Sequence, residues 1–110
     1  LAQSDPVPTL VFDEVDSGIG GAVADAVGQR LARLGEDVQV LVVTHSPQVA
    51  ARGLAHWHVS KMEDGGAVRT SVTTLTSSER ADEIARMLAG ANVTSEARAA
   101  AQSLLSGAAE

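Results

Sequence analysis

The chain has 110 residues, 45% of them hydrophobic, with 8 basic against 14 acidic side chains and a formal net charge of −6. That length bounds it to one domain near the lower end of the common size range, and the acidic balance argues against the segment by itself being an electrostatic platform for nucleic acid. The absence of cysteine excludes a disulfide framework and a cysteine-based metal site, and no apolar run approaches the roughly 20 residues that span a bilayer.

The first residues, Leu1-Ala2-Gln3-Ser4-Asp5, have neither an initiator Met nor the basic-then-apolar form of a signal peptide. They are expected to be the tail of a helix, and the chain to be a piece of something longer. Pro6 and Pro8 break any entering helix and leave the backbone extended. Thr9 to Asp13 then reads as a strand. Its Leu10-Val11-Phe12 run demands burial, while Asp13, Glu14 and Asp16 demand water, so the strand should end with a cluster of carboxylates at its mouth.

Ser17-Gly18-Ile19-Gly20-Gly21 predicts a flexible turn. Between Ala22 and Leu34, the apolar residues Val23, Val27, Leu31 and Leu34 recur at helical spacing, with Asp25, Gln29, Arg30 and Arg33 largely off that stripe. Gly35 is placed to end the helix. Residues 38–43 form a second, almost continuously apolar strand of the kind covered on both faces in parallel sheets. Strand, helix and strand make a βαβ unit with an expected right-handed crossover.

The topology has a chemical consequence. Parallel strands end at the same edge, where open α/β sheets bind their ligands. Asp13-Glu14 and Thr44-His45-Ser46-Pro47 should therefore share one rim. Ser46 suits an N-cap and Pro47 a first helical position, so a short helix is expected over 47–52.

In the second half, residues 55–62 and 67–75 read as strands joined by Glu63-Asp64-Gly65-Gly66 in a hairpin. Thr76 and Glu79 fit a capping box opening a helix that closes near Gly90, with Ile84, Met87 and Leu88 as its apolar stripe. An Ala-rich helix should follow over 95–106, with Leu104 and Leu105 near its end. The large side chains are few, Phe12 and Trp57 being the two aromatics.

Three groups of residues could carry chemistry. A nucleotide-bound Mg2+ keeps several waters and needs one or two protein carboxylates. Asp13 suits that role, directly or through water, and Glu14 could polarise an attacking water as general base. The same acids could also simply solvate a loop after a buried strand. His45 on the shared rim makes the catalytic reading more specific, because an imidazole there can hydrogen-bond a γ-phosphate or the attacking water. His56 and His58 fall on one strand face, yet no third metal ligand is evident, and an ordinary, partly exposed strand with Trp57 packed inward is expected. Gly18-Ile19-Gly20-Gly21 is not a phosphate-binding P-loop, since no Gly-Lys-Ser/Thr follows it. Arg80, Arg86 and Arg98 read as helix-surface charges.

Thr9-Leu10-Val11-Phe12-Asp13-Glu14 resembles the Walker B strand of an ABC-type ATPase with its adjacent catalytic Glu, and Val42-Val43-Thr44-His45-Ser46-Pro47 resembles the switch-histidine loop of the same enzymes. More narrowly, residues 12–21 together with Val43-Thr44-His45-Ser46-Pro47-Gln48-Val49-Ala50 are similar to the SMC-like ATPases of bacterial DNA repair, whose heads sit at the ends of a coiled coil. The resemblance covers nearly the whole chain. It implies an α/β fold in which residues 1–110 form the C-terminal part of a P-loop, ABC/SMC-type ATPase head, a parallel βαβ unit followed by a β-hairpin and two C-terminal helices. It further implies that Asp13 assists Mg2+, that Glu14 activates water, and that His45 senses or binds the γ-phosphate of ATP. Ser17, Gly18, Ile19, Gly20 and Gly21 would form the loop facing a second head in an ATP-bound homodimer. The chain departs from the broader SMC pattern in carrying Gly20 where many relatives have Asp, so trans contacts through that Asp are not implied.

The same resemblance places the Walker A Gly-x-x-x-x-Gly-Lys-Ser/Thr, the Q-loop and the Leu-Ser-Gly-Gly-type signature upstream, and this chain carries none of them. The expected partners are therefore the rest of the same head, a second head, and DNA bound through other regions, with no membrane. The expected setting is cytoplasmic and nucleoid-associated. The competing readings are another SMC-like head, a transporter subunit, or a non-catalytic dimerisation module.

Overall fold

In the computed structural model the described residues are 8–13 and 18–109, with side chains described as far as 107. The elements run β1 (Thr9–Asp13), α1 (Gly21–Leu34), β2 (Gln39–Val43), α2 (Pro47–Ala50), β3 (Trp57–Asp64), β4 (Ala67–Thr74), α3 (Ser77–Ala89) and α4 (Ser95–Ala109). The expected helix tail at residues 1–5 lies outside the described residues. Everywhere else the order of elements is the one the sequence predicts.

β1 and β2 pair in parallel, from Thr9 opposite Gln39 to Asp13 opposite Val43. Their entry is pinned by backbone Gln39 N–H donating to the Pro8 carbonyl at 3.2 Å and by the Thr9 hydroxyl donating to Gln39 Oε1 at 2.7 Å. Complete cover of this sheet, expected from its apolar run, is not found. Val11 and Val43 are exposed, and Leu10 sits just past half-burial. The physical reason is that the sheet has two strands among the described residues, and α1 turns its tightest face to α2 instead.

That face is not the predicted stripe. Val27, Leu31 and Leu34 are half-buried, but Val23 is 54% exposed, and the buried residues of α1 are Ala24 and Gly28. Small residues at i and i+4 let two helix backbones approach closely. A Cβ at position 28 would sit 2.9 Å from Arg52 Cγ and 3.3 Å from Val49 Cα, so only glycine fits here without displacement. The contact is flanked by an ion pair in which Arg52 Nη2 and Nε donate to Asp25 Oδ1 at 3.0 and 3.3 Å. Gly28→Leu is accordingly expected to destabilise the protein by about 1–3 kcal/mol through overpacking. Chemical denaturation checks this, and an unchanged midpoint would show that α1 and α2 can separate freely.

α2 opens on Ser46, whose Oγ accepts from Val49 N–H at 3.3 Å, and it is shorter than the predicted 47–52. β3 and β4 form the predicted antiparallel hairpin, with strand pairing extending to Asp64 opposite Ala67. Gly65 and Gly66 then make a two-residue turn with φ of +59° and +87°. Positive φ at both central positions matches the right-handed twist of the strands and is what glycine adopts without strain.

α3 carries the expected capping box: the Thr76 hydroxyl accepts from Glu79 N–H, and the Glu79 carboxylate accepts from Thr76 N–H at 2.9 Å. Its hydrogen bond to Thr76 keeps the Glu79 carboxyl below its ordinary range. The core lies where α2, α3 and α4 meet. Ala51, Ile84, Ala85, Ala97 and Ala101 are buried there, with Met87, Val93, Leu104 and Leu105 packed around them. Of the predicted α3 stripe, Ile84 is fully buried and Met87 half-buried, while Leu88 is 38% exposed. The partner surfaces are mostly alanine, too narrow to cover a stripe three residues wide.

Two further expectations fail. Trp57 does not pack inward but is 54% exposed. Alternation sends Trp57 and Val59 to one face with Val68 and Val72 opposite, and all four are exposed. The polar face, bearing His58, Ser60 and Ser71, is the half-buried one, and on it His58 Nε2 lies 3.7 Å from Glu83 Oε2 of α3. Arg80 is not a surface charge either. The radius of gyration, 15.6 Å, exceeds the roughly 13 Å of a compact chain this long, in keeping with two bare sheets.

Candidate functional site at the carboxyl rim of the parallel sheet

The site follows from strand register. Asp13, the last residue of β1, stands opposite Val43, the last residue of β2, at the strand spacing of about 4.8 Å. Beyond Val43 the backbone folds tightly, with Ser46 N–H donating to the Thr44 hydroxyl at 2.9 Å. His45 is the exposed residue at the apex of that turn. Asp13 and the His45 loop thus occupy one rim, as the topology requires. Asp13 is exposed there, free to meet a hydrated ion. Glu14, Asp16 and Ser17 lie outside the described residues.

The rest of the expected dimer-facing loop is exposed: Gly18, Ile19 and Gly20 precede α1, and Gly21 is its first residue. Gly21 lies beside the Gln48 side chain at the start of α2. The Ser46 hydroxyl donates to Gln48 Oε1 at 3.0 Å, and Gln48 Nε2 lies 3.4 Å from where a Cβ on Gly21 would stand.

Residues that the sequence reading passed over surround α2. Arg80, half-buried on α3, donates through Nη2 to the carbonyls of Ala50 at 2.9 Å, Ala51 at 3.2 Å and Gly53 at 2.5 Å. A signal for this existed: Arg80 is four residues before Ile84 and so shares its buried face. Arg86 and Arg98 are surface charges as expected, paired with Glu83 and Asp82.

The perturbed groups lie outside β1 and β2. Its hydrogen bond from Arg52, then that from Gln29, holds the Asp25 carboxyl below its usual value. Glu83 is lowered chiefly by its hydrogen bond from Arg86. Burial, and then the nearby Arg80 cation, pushes His56 below 6.5, favouring its neutral form. Among the described residues no three His, Asp or Glu side chains gather to hold a metal, His56 and His58 included. A single carboxylate at the rim fits a cation that arrives already coordinated by a nucleotide and water.

No family model matches the chain. Individual proteins do. It is 58% identical over 101 residues to the DNA repair protein RecN of Xylella fastidiosa (strain 9a5c) and 50% identical over 105 residues to that of Streptomyces coelicolor, covering 92% and 96% of this chain. The chain resembles the C-terminal portion of RecN. RecN of Deinococcus radiodurans is 51% identical over 100 residues. The chain spans 18% of the length of each of these RecN proteins. A solved structure from work on ATP-driven dimerization and DNA-stimulated activation of SMC ATPases superposes with a TM-score of 0.64 over 79% of this chain and 52% of the other, at 21% identity. The RecN-like chain therefore has part of an SMC ATPase head fold, with a parallel sheet, an antiparallel hairpin and C-terminal helices. No helix among the described residues is long and apolar enough to cross a membrane.

Proposed function

We propose that this chain supplies the hydrolytic edge of an ATPase head in a RecN-type protein of DNA double-strand break repair. The observation that carries the proposal is the parallel register, which brings Asp13 and the His45 turn to one rim. Similarity to RecN and to an SMC ATPase fold supports it. Asp13 would hold nucleotide-bound Mg2+, directly or through water, and the ion would supply neutralisation of charge developing on the phosphates. Glu14, next in the chain, accepts a proton from the attacking water. His45 donates an imidazole N–H toward the γ-phosphate. Residues 17–21 face a second head, which ATP joins to the first, and hydrolysis releases the pair. DNA is handled by other regions of the longer protein, in the cytoplasm at the nucleoid.

The phosphate cradle is contributed by sequence outside these 110 residues, because most of the N–H donors that bind phosphates belong to a Walker A loop. The chain alone is accordingly expected to show no steady-state ATP turnover, whereas the full-length protein hydrolyses ATP with Mg2+. In the latter, Asp13→Asn should lower activity about 10- to 100-fold, the range for a group acting on a metal through its outer shell. A phosphate-release assay decides both. Turnover by the chain alone that Glu14→Gln abolishes, or full activity in Asp13→Asn, would overturn the assignment.

A further inference from the structure

We infer that Arg80 is a positioning residue that holds the His45 turn in place through α2, an inference resting on the role given to His45 above. α2 is four residues long, Pro47–Ala50. A single helical turn does not sustain itself in water, because nucleation fixes several residues for one hydrogen bond. Its amino end is held by the Ser46 cap, directly after His45. Its carboxyl end presents carbonyls with no further helical N–H to accept from.

Arg80 fills that end. One guanidinium nitrogen lies within 2.5 to 3.2 Å of the carbonyl oxygens of Ala50, Ala51 and Gly53, where a cation also meets the negative end of the helix dipole. A Cβ on Gly53 would fall 3.0 Å from the Ala55 carbonyl and, at 3.9 Å, in ordinary contact with Arg80 Nη2. Meanwhile the Arg52–Asp25 pair holds α2 to α1 on another side. With the last turn clamped and the first capped, a shift of the carboxyl end of α2 is passed to Ser46 and hence to His45. Without Arg80, the Ala51 and Gly53 carbonyls lose this donor and Ala50 keeps only the Gly53 N–H, and the imidazole loses a fixed origin.

The test uses full-length protein. Arg80→Ala is expected to lower kcat for ATP hydrolysis about 10- to 100-fold, the scale for misplacing a catalytic group by around 1 Å, with KM for ATP nearly unchanged. Millimolar guanidinium should restore part of the lost kcat. Arg80→Lys, which keeps a cation with several donors, should fall between, and it decides by the same kcat-against-KM split if Arg80→Ala does not fold. Adding Arg80→Ala to His45→Ala should cost little more, because both act through one group. Unchanged kcat per folded molecule, with only a lower melting temperature and no response to guanidinium, would overturn the inference. Full turnover in His45→Ala would instead show that the role given to His45 is wrong.

Discussion

Glu14→Gln in the full-length protein is expected to leave ATP binding intact while slowing hydrolysis by about 10²- to 10⁴-fold, the usual contribution of a positioned general base. The substitution keeps size and hydrogen-bonding capacity but removes the group that accepts a proton. Glu14 follows Asp13 in the sequence, and Asp13 is the last residue of β1, opposite the end of β2. Under the proposed function, in which hydrolysis releases the pair, the head dimer formed with ATP should then persist. Nucleotide binding, single-turnover hydrolysis and light scattering of the ATP-bound dimer separate the possibilities. A normal rate of hydrolysis would refute the general-base role. Loss of nucleotide binding would point to a structural one.

His45→Ala should be the next largest effect, lowering kcat by about 10²- to 10³-fold, as for removing one donor to a charge that develops in the transition state. The argument is geometric. The imidazole stands on a turn closed by the Thr44 hydroxyl on one side and by the Ser46 cap on the other, and it is exposed toward the rim. A ring that merely packed the loop would be covered. His45→Gln retains an N–H of similar reach and should recover part of the loss. Equal activity in wild-type and His45→Ala proteins would leave the rim without its phosphate-sensing group.

Most of the fold was legible because its signals are local. The strand at 9–13 ends where apolar residues give way to acids, Thr76 and Glu79 form the capping box their spacing predicts, and Gly65-Gly66 turns the hairpin. The shared placement of Asp13 and the His45 turn was legible because register follows from topology: once the two apolar strands are parallel, their carboxyl ends share an edge. What escaped was decided by partners distant in sequence. The face of α1 that is buried, Ala24 and Gly28, is set by the close approach of α2 rather than by the largest apolar residues. Trp57 faces outward because the polar side of the hairpin meets Glu83 on α3. Arg80 read as a helix-surface arginine although its spacing from Ile84 puts it on the buried face, and the three carbonyls it meets lie 27 to 30 positions earlier.

The brevity of α2 has a consequence for the order in which the molecule forms. α1 and α3, with 14 and 13 residues, are long enough to flicker into helix early and alone. α2 is not, and its single turn becomes favourable only when α1 offers the notch at Gly28 and α3 offers Arg80. The turn that carries His45 is therefore expected to be among the last parts of the chain to take its final shape, and to exchange its amide hydrogens early when either neighbour loosens.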